Sequence, residues 1–173
     1  MSKIYVDQIL PKENATISAP NLQLPAGSVV QTVTQIFNGS TGTNSSSYAD
    51  LNRYVTITPK YANSLIVVTY SATVYYNDSY GYFTFFRNGV NMYNQGDYDT
   101  NPSTQAMTQF GNSDAPGTTR YHPTSFSFID TTHNSTTALT YRLYAKRAGG
   151  AGDVYWPPGS SDAATFIVQE IAQ

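Results

Sequence analysis

The feature that most constrains the fold is the run SLIVVTYSATVYY at residues 64–76, which is dense in β-branched and aromatic residues. Such residues pack well on a pleated sheet and are poor helix formers. Shorter runs of the same kind occupy residues 29–37, 53–59, 82–93, 124–130, 138–147 and 164–171. A helical period persists for three turns nowhere in the sequence. We therefore predict an all-β protein of about eight strands, an antiparallel sandwich or barrel rather than a parallel α/β sheet.

Turn residues and alternation predict how these strands connect. Asn88-Gly89 lies between two aromatic runs, which is typical of a tight hairpin with a type I′ turn. The polar stretches 38–50 and 95–121 predict loops, although the second is longer than a compact domain usually tolerates as a connection. The predicted strand at 138–147 places Leu139, Tyr141, Leu143 and Ala145 on one face and Thr140, Arg142, Tyr144 and Lys146 on the other.

The N-terminal segment, residues 1–27, is predicted to be a short extended arm. Pro11, Pro20, Pro25 and Gly27 interrupt it, so its apolar residues are too few and too scattered to fold alone. The aliphatic side chains that we expect to lie on a partner surface are Ile4, Val6, Ile9, Ile17, Leu22 and Leu24. The alternative is a flexible leader. The predicted organisation is a docking arm at 1–27 and one β domain at 28–173.

The amino-acid composition limits the kinds of molecule that the protein is expected to bind. Charged residues make up 12% of the chain, against roughly 25% in an average protein, and the few Lys and Arg are scattered. Phosphate neutralisation needs clustered cations, so nucleic-acid binding is not expected. The sequence lacks the features of a secretory signal and an apolar run of about 18 residues, so we expect synthesis in a cytoplasm without membrane insertion. Without cysteine, disulfides and thiolate metal sites are excluded.

Candidate catalytic or metal-binding residues are few. The segment DTTH places Asp130 three residues before His133, which is a conceivable metal pair, but residues at a strand end more simply satisfy turn backbone groups. Asp97 and Asp99 resemble half of a calcium loop without its further carboxylates. The sequence contains no catalytic signature. We predict a protein without enzymatic activity, cofactor or bound metal.

A family resemblance extends over most of the chain. The sequence contains, in this order, the phrases PAGSVVQTVTQIF (25–37), YVTITPKYANSLIVVTYSATV (54–74), FFRNGVNMY (85–93), TSFSFIDTTHNSTTALTYRLYAK (124–146) and FIVQEIAQ (166–173). They resemble the C-terminal domains of tail-fibre and structural proteins of cyanophages and other marine phages. The leader SKIYVDQILPKENATISAPNLQLPAG is similar to the start of such virion proteins. The resemblance implies a trimeric jelly-roll knob of the tumour-necrosis-factor type, made in the bacterial host and displayed on the virion.

Three interpretations of function are kept, of which the first two follow from this resemblance. The first is a homotrimeric spike or short fibre, docked by residues 1–27 to the capsid, collar or tail, whose knob contacts a glycan or protein of the host surface. The second is a capsid decoration protein that stabilises the head. The third, different in kind, is a free carbohydrate-binding module. Many fibres carry a long shaft between arm and knob, and nothing separates the two here, which argues against a far-reaching tail fibre and leaves a head spike, a collar fibre or a capsid decoration protein open.

The residues themselves also favour self-association. Large side chains occupy both faces of strands such as 64–76 and 166–171, so one face is left unburied in a monomer. The side chains predicted to lie at the seam between copies of the trimer are Tyr70, Tyr75, Phe85, Phe166 and Val168. The alternative is an ordinary sandwich strand that its own neighbours cover.

Aromatic residues near the predicted loops are candidates for surface recognition, because rings stack on sugar faces and tyrosine hydroxyls form hydrogen bonds. These candidates are Tyr93, Tyr98, Tyr121, Tyr155 and Trp156. The competing interpretation places the same aromatic residues in the core or at the trimer seam.

Overall fold

The chain is built from strands and their connections in the part that a computed structural model describes, which comprises residues 24–77, 79–93, 106–111, 119–150, 154–155 and 163–173. Within these residues there are eleven strands and no helix. The strands are β1 (Val29–Asn38), β2 (Gly42–Thr43), β3 (Ala49–Ile57), β4 (Leu65–Asn77), β5 (Ser79–Arg87), β6 (Val90–Asn91), β7 (Thr108–Gly111), β8 (Thr119–Asp130), β9 (Leu139–Gly150), β10 (Val154–Tyr155) and β11 (Ala163–Ile171). The prediction of an all-β protein is confirmed.

The strands form two antiparallel sheets. The long strands of the first sheet lie in the order β1-β11-β4-β8, and the short β10 and β2 extend it beside the last residues of β4. The second sheet has the order β3-β9-β5, and β6 and β7 pair with different parts of β5. The pairing is nested along the chain, since β1 pairs with β11, β3 with β9, β4 with β8 and β5 with β7. The two sheets pack as a sandwich.

The core lies between the sheets because alternate residues of each long strand point inward. Phe126 from the first sheet stacks against Phe83 and Phe85 from the second, with ring centroids 5.4 and 4.9 Å apart. The inward residues of β9 are all buried and are Leu139, Tyr141, Leu143 and Ala145. This division of β9 into two faces agrees with the prediction from its alternation.

The hairpin between β5 and β6 has the predicted turn. Asn88 and Gly89 have φ angles of 48° and 86°, the left-handed conformation that both central residues of a type I′ turn require. The Asn88 side-chain oxygen accepts a hydrogen bond of 2.8 Å from the backbone N–H of Thr140. The Asn-Gly pair therefore reverses the chain and also ties the turn to the start of β9.

Both predicted loops contain strand residues, so those predictions are wrong in part. The stretch 38–50 includes β2 and the start of β3, and the stretch 95–121 includes β7 and the start of β8. β7 is a TQFG segment whose strand conformation comes from pairing with β5 rather than from its composition. Its Phe110 ring covers Gly81, where an added Cβ would collide with that ring and with the carbonyl oxygen of Lys146.

The structure describes only the last residues of the predicted docking arm. Leu24 is exposed, and the backbone N–H of Gly27 donates a hydrogen bond of 2.8 Å to the carbonyl of Ala172, just after β11. The other arm residues, which lie outside the described residues, are Ile4, Val6, Ile9, Ile17 and Leu22. Docking by this segment therefore stays a prediction.

Candidate functional site

The outward side of the first sheet carries no charged residue in three consecutive rows, and we call these rows the uncharged face. The rows, each crossing β1, β11, β4 and β8, are Thr32, Gln169, Val67 and Ile129; Thr34, Ile167, Thr69 and Ser127; and Ile36, Thr165, Ser71 and Ser125. They alternate with the buried rows and therefore point away from the core. Charged side chains strongly prefer exposed positions, so their absence here sets this surface apart.

Polar groups of the uncharged face are paired with one another. The hydroxyl oxygens of Thr69 and Ser127 lie 2.8 Å apart, and those of Ser71 and Ser125 lie 2.7 Å apart. In the first row, the glutamine amide donates a hydrogen bond of 3.2 Å to the neighbouring threonine hydroxyl. A polar group that keeps its hydrogen bond costs little to bury. Burying this face against a partner therefore costs less free energy than burying an ordinary polar surface.

The outward side of the second sheet is aromatic and charged, and we call it the aromatic face. It consists of Tyr48, Asp50, Tyr54, Tyr82, Phe86, Arg142, Tyr144 and Lys146. The rings of Phe86 and Tyr144 stack with centroids 3.9 Å apart, and Tyr48 meets Phe86 edge-on at 6.3 Å. Tyr54 is 43% exposed. The face thus combines the exposed Tyr54 with a cluster of half-buried rings.

Two cations lie among these rings. The Arg142 guanidinium is 4.4 Å from the Tyr54 ring centroid and forms an ion pair of 3.0 Å with Asp50. The Lys146 ammonium is 4.6 and 5.7 Å from the centroids of two tyrosine rings of this face. In the part of the chain that the structure describes, the Lys146 ammonium has no carboxylate partner. Cation–π attraction holds it in place.

The hydroxyls of Tyr48 and Tyr144 add no negative charge to the aromatic face. The pKa of Tyr48 is raised, first by burial and then by the neighbouring Tyr82. The pKa of Tyr144 is raised by burial and by Asp50, against a smaller opposite effect of Arg142. Both phenols are therefore protonated near neutral pH, and the face carries two cations and one carboxylate.

Asp130 is fully buried and joins the two sheets. Its Oδ2 accepts hydrogen bonds from the Arg87 guanidinium at 2.6 Å and the Tyr141 hydroxyl at 2.7 Å, both from the second sheet. Its Oδ1 accepts from the Thr132 N–H and hydroxyl at 2.9 and 3.0 Å. Burial raises the pKa of this carboxyl, but the hydrogen bonds from Tyr141, Thr132 and Arg87 outweigh it and hold the pKa below its usual value. All its lone pairs are used structurally.

Glu170 is a second fully buried carboxylate at the same end of the sandwich. It accepts hydrogen bonds of 2.8 to 2.9 Å from the backbone N–H groups of Lys60 and Tyr61 and from the Ser64 hydroxyl, and one of 2.6 Å from Gln31. Burial raises its pKa, but these four donors outweigh burial and lower it. Glu170 thus fixes the β3–β4 connection to β11.

The side chains of His133 and Asp130 form hydrogen bonds with different residues. The His133 Nε2 donates a hydrogen bond of 2.7 Å to the carbonyl oxygen of Ser64, and its Nδ1 lies 3.1 Å from the carbonyl oxygen and 3.3 Å from the backbone nitrogen of Ser135. This arrangement supports the structural interpretation of the DTTH segment over a metal pair. The aspartates considered for a calcium loop, Asp97 and Asp99, lie outside the described residues.

Burial contradicts the predicted trimer seam at four of its five residues. Tyr70, Phe85, Phe166 and Val168 are each at most 1% exposed in the single chain. They point inward, where the opposite sheet covers them, so they are not available to a second copy. The fifth residue, Tyr75, is half-buried on the outward side, and its ring meets that of Tyr121 edge-on at 5.4 Å.

The predicted recognition residues are only partly described. Tyr121 is 63% exposed on the outward side of β8, and Tyr93 is half-buried after β6. The backbone of Tyr155 lies in β10 and pairs with Tyr75 of β4. The remaining candidates, Tyr98 and Trp156, lie outside the described residues. A recognition role for this set stays a prediction.

The aromatic face was not among the predicted sites. Its sequence signal is the outward half of β9, where Arg142, Tyr144 and Lys146 occupy alternate positions. The rest of the face comes from β3, β5 and the residue before β3, which are distant in the sequence. Only strand pairing brings them together.

No protein-family model and no curated protein matches the chain. Among the described residues, none forms a helix long and apolar enough to cross a bilayer. The same residues contain no group of three or more His, Cys, Asp or Glu side chains arranged to hold a metal ion.

Proposed function

We propose that the chain is a non-enzymatic structural protein of a phage virion, a jelly-roll knob that works as a homotrimer. The observation that carries the proposal is the uncharged face, which spans four strands without a charge. In a cyclic trimer, identical residues of the copies approach one another around the axis, so charges there would repel. Neutral residues whose hydroxyls are already paired suit such a contact.

The nested strand pairing supports the jelly-roll part of the proposal. In a jelly roll, a long antiparallel hairpin is rolled into two packed sheets, so that strands from the two ends of the chain lie together. Here the nested pairs run from β1 with β11 on the outside, through β3 with β9 and β4 with β8, to β5 with β7.

Two further observations support a virion structural role. The phrases at 25–37, 54–74, 124–146 and 166–173 resemble structural proteins of marine phages. The two buried carboxylates, Asp130 and Glu170, are saturated by hydrogen bonds from the chain itself, which favours structural over catalytic use.

Residues 1–27 are proposed to dock the knob to the capsid, collar or tail. Their junction with the sandwich lies beside Ala172, at the end that holds Glu170. Cyclic symmetry would place three such arms at one end of the trimer. Three linked weak contacts give a much stronger attachment than one arm alone. The opposite end and the outward surfaces are then free to meet a glycan or protein of the host.

Deletion of residues 1–27 from the viral copy of the protein tests the docking. We expect particles that lack the protein, while the truncated chain stays soluble in the lysate with an unchanged number of copies per assembly. Incorporation of the truncated chain at the normal level would refute the docking arm.

Competition for adsorption tests the host contact. Purified full-length chain added to host cells before infection is expected to slow adsorption of the phage. If it does not, and particles without the protein adsorb normally but lose infectivity on heating, the chain is a decoration protein. If the chain is absent from particles altogether, a free carbohydrate-binding module replaces the virion role.

A further inference from the structure

We propose that the aromatic face binds an acidic polysaccharide, with its rings stacking on sugar rings and Lys146 taking an anionic group of the polymer. Two observations carry this inference. The first is an ammonium that the described chain leaves without a carboxylate. The second is the cluster of half-buried rings beside it, together with the exposed Tyr54 on the same sheet surface.

Lys146 is positioned for an external anion. Its ammonium lies 4.6 Å from the Tyr48 ring centroid and 5.7 Å from that of Tyr82, and these contacts fix its place on the face. An ammonium has three hydrogen-bond donors, and no described residue accepts from this one. A carboxylate or sulfate of a ligand would fill that role with a charge-assisted hydrogen bond.

The neighbouring rings offer the complementary surface for sugars. The negative face of an aromatic ring attracts the weakly positive C–H groups on the flat side of a pyranose. Tyr54 is 43% exposed although Arg142 lies over its ring, and tyrosine hydroxyls can bond sugar hydroxyls. The Phe86–Tyr144 stack holds both rings rigidly, so little side-chain entropy is lost when a ligand docks.

The dimensions of the face indicate a polymer rather than a single sugar. Arg142 and Lys146 are four residues apart on β9, a distance of about 14 Å at the usual rise of a strand. Tyr144 lies midway between them. Because Arg142 is already paired with Asp50 at 3.0 Å, the anionic group is expected at the Lys146 end.

The sparse charge of the face favours an acidic glycan over a nucleic acid. Nucleic acids carry a phosphate on every nucleotide, and their binding grooves need a row of cations. This face has two cations, of which one is paired with a carboxylate. A polysaccharide with anionic groups among many hydroxyls fits one free ammonium surrounded by phenols.

The inference gives a ligand class to the host contact, so its biological meaning rests on the proposed function. The two are nevertheless separable. The aromatic face lies on the opposite side of the sandwich from the uncharged face, so the two proposed contacts use different surfaces. Glycan binding by the full chain in solution is measured without any virion.

Calorimetry with matched polymers tests the proposal. The probes are polygalacturonate and dextran sulfate, and their neutral controls are fully methyl-esterified polygalacturonate and plain dextran. We expect the full-length chain to bind at least one acidic polymer about tenfold more tightly than its neutral control, with the difference lost at high salt.

Three variants assign the binding to this face. Lys146→Gln is expected to reduce affinity for the acidic polymer to that for its neutral control. Tyr54→Ala should weaken both about tenfold, since stacking does not depend on charge. Tyr61→Ala replaces an exposed tyrosine of the β3–β4 connection and is expected to change neither. Circular dichroism verifies that each variant is folded.

The proposal is overturned if the folded chain binds neither acidic polymer, or if Lys146→Gln and Tyr54→Ala bind as the wild type does. Tighter binding of oligothymidylate than of both acidic polymers also overturns it, in favour of a nucleic-acid surface. If the chain assembles into virions but does not bind glycans, only this inference is refuted. If the chain binds glycans but is absent from virions, the proposed function is refuted instead.

Discussion

Two buried tyrosines differ in one respect that predicts opposite responses to the same substitution. Tyr70 and Tyr141 are each at most 1% exposed. The Tyr141 hydroxyl donates a hydrogen bond of 2.7 Å to Asp130. Among the described residues, the Tyr70 hydroxyl has no hydrogen-bond partner. Replacing either residue with Phe removes one oxygen and leaves the packing of the ring almost unchanged.

The expected magnitudes follow from these partners. Tyr141→Phe removes a hydrogen bond to a buried carboxylate, which we expect to lower the free energy of unfolding by about 1.5 to 3 kcal/mol. Asp130 keeps its bonds to Arg87 and Thr132, so the loss is not larger. Tyr70→Phe removes a buried hydroxyl that has no hydrogen-bond partner among the described residues, and the variant is expected to be as stable as the wild type or more stable by about 1 kcal/mol.

Denaturant unfolding followed by circular dichroism measures both variants. All samples need the same protomer concentration, because the stability of an oligomer depends on it. The expected difference between the two variants is at least about 1.5 kcal/mol, with Tyr141→Phe the less stable. Equal destabilisation of the two variants would refute the assignment of hydrogen bonds on which the core network rests.

Two further predictions concern glycines and acid. Gly81→Ala should lower the free energy of unfolding by about 1 to 3 kcal/mol because the new methyl group meets Phe110 and a backbone carbonyl. Gly89→Ala has open space around the new methyl group and should cost only about 1 kcal/mol for its positive φ. A thermal melt in which Gly89→Ala unfolds at the lower temperature of the two contradicts this. The pKa values of Asp130 and Glu170 are lower in the folded chain than their ordinary values of 3.8 and 4.5. The ionised carboxylates therefore stabilise the fold fully when the pH is above those ordinary values. This stabilisation is lost as the pH falls through the lowered pKa values. Denaturation midpoints that do not fall from neutral to strongly acidic pH would speak against it.

Strand positions were predictable because they depend on local composition and turn residues. The run at 64–76 is dense in β-branched and aromatic residues and became β4, and Asn88-Gly89 became the expected turn because few residue pairs tolerate two positive φ angles. The strand β7 was not predictable, since its conformation depends on pairing with β5. Local sequence does not contain that information.

Which face of a strand points inward was harder to predict than the strand itself. In β11, Phe166 and Val168 are buried whereas Ile167 is half-exposed, although all three are large and apolar. Alternation alone does not separate two such faces, and the predicted trimer seam fell on the inward one. Packing against the opposite sheet decides which face of the strand points inward. Inward charges such as Asp130 and Glu170 are equally hidden from sequence reasoning, because their donors come from distant strands.

Association through the uncharged face is tested most directly by the mass of the full-length chain in solution, measured by light scattering after size exclusion. The wild type is expected at three times 19.0 kDa. Thr69→Lys puts a charge in the middle of the uncharged face and should lower the mass. Thr56→Lys is the matched control, since the Thr56–Thr140 hydroxyl pair at 2.9 Å on the second sheet mirrors the Thr69–Ser127 pair at 2.8 Å. A wild-type monomer at micromolar concentration, or a Thr69→Lys variant that keeps the trimer mass, would contradict the account.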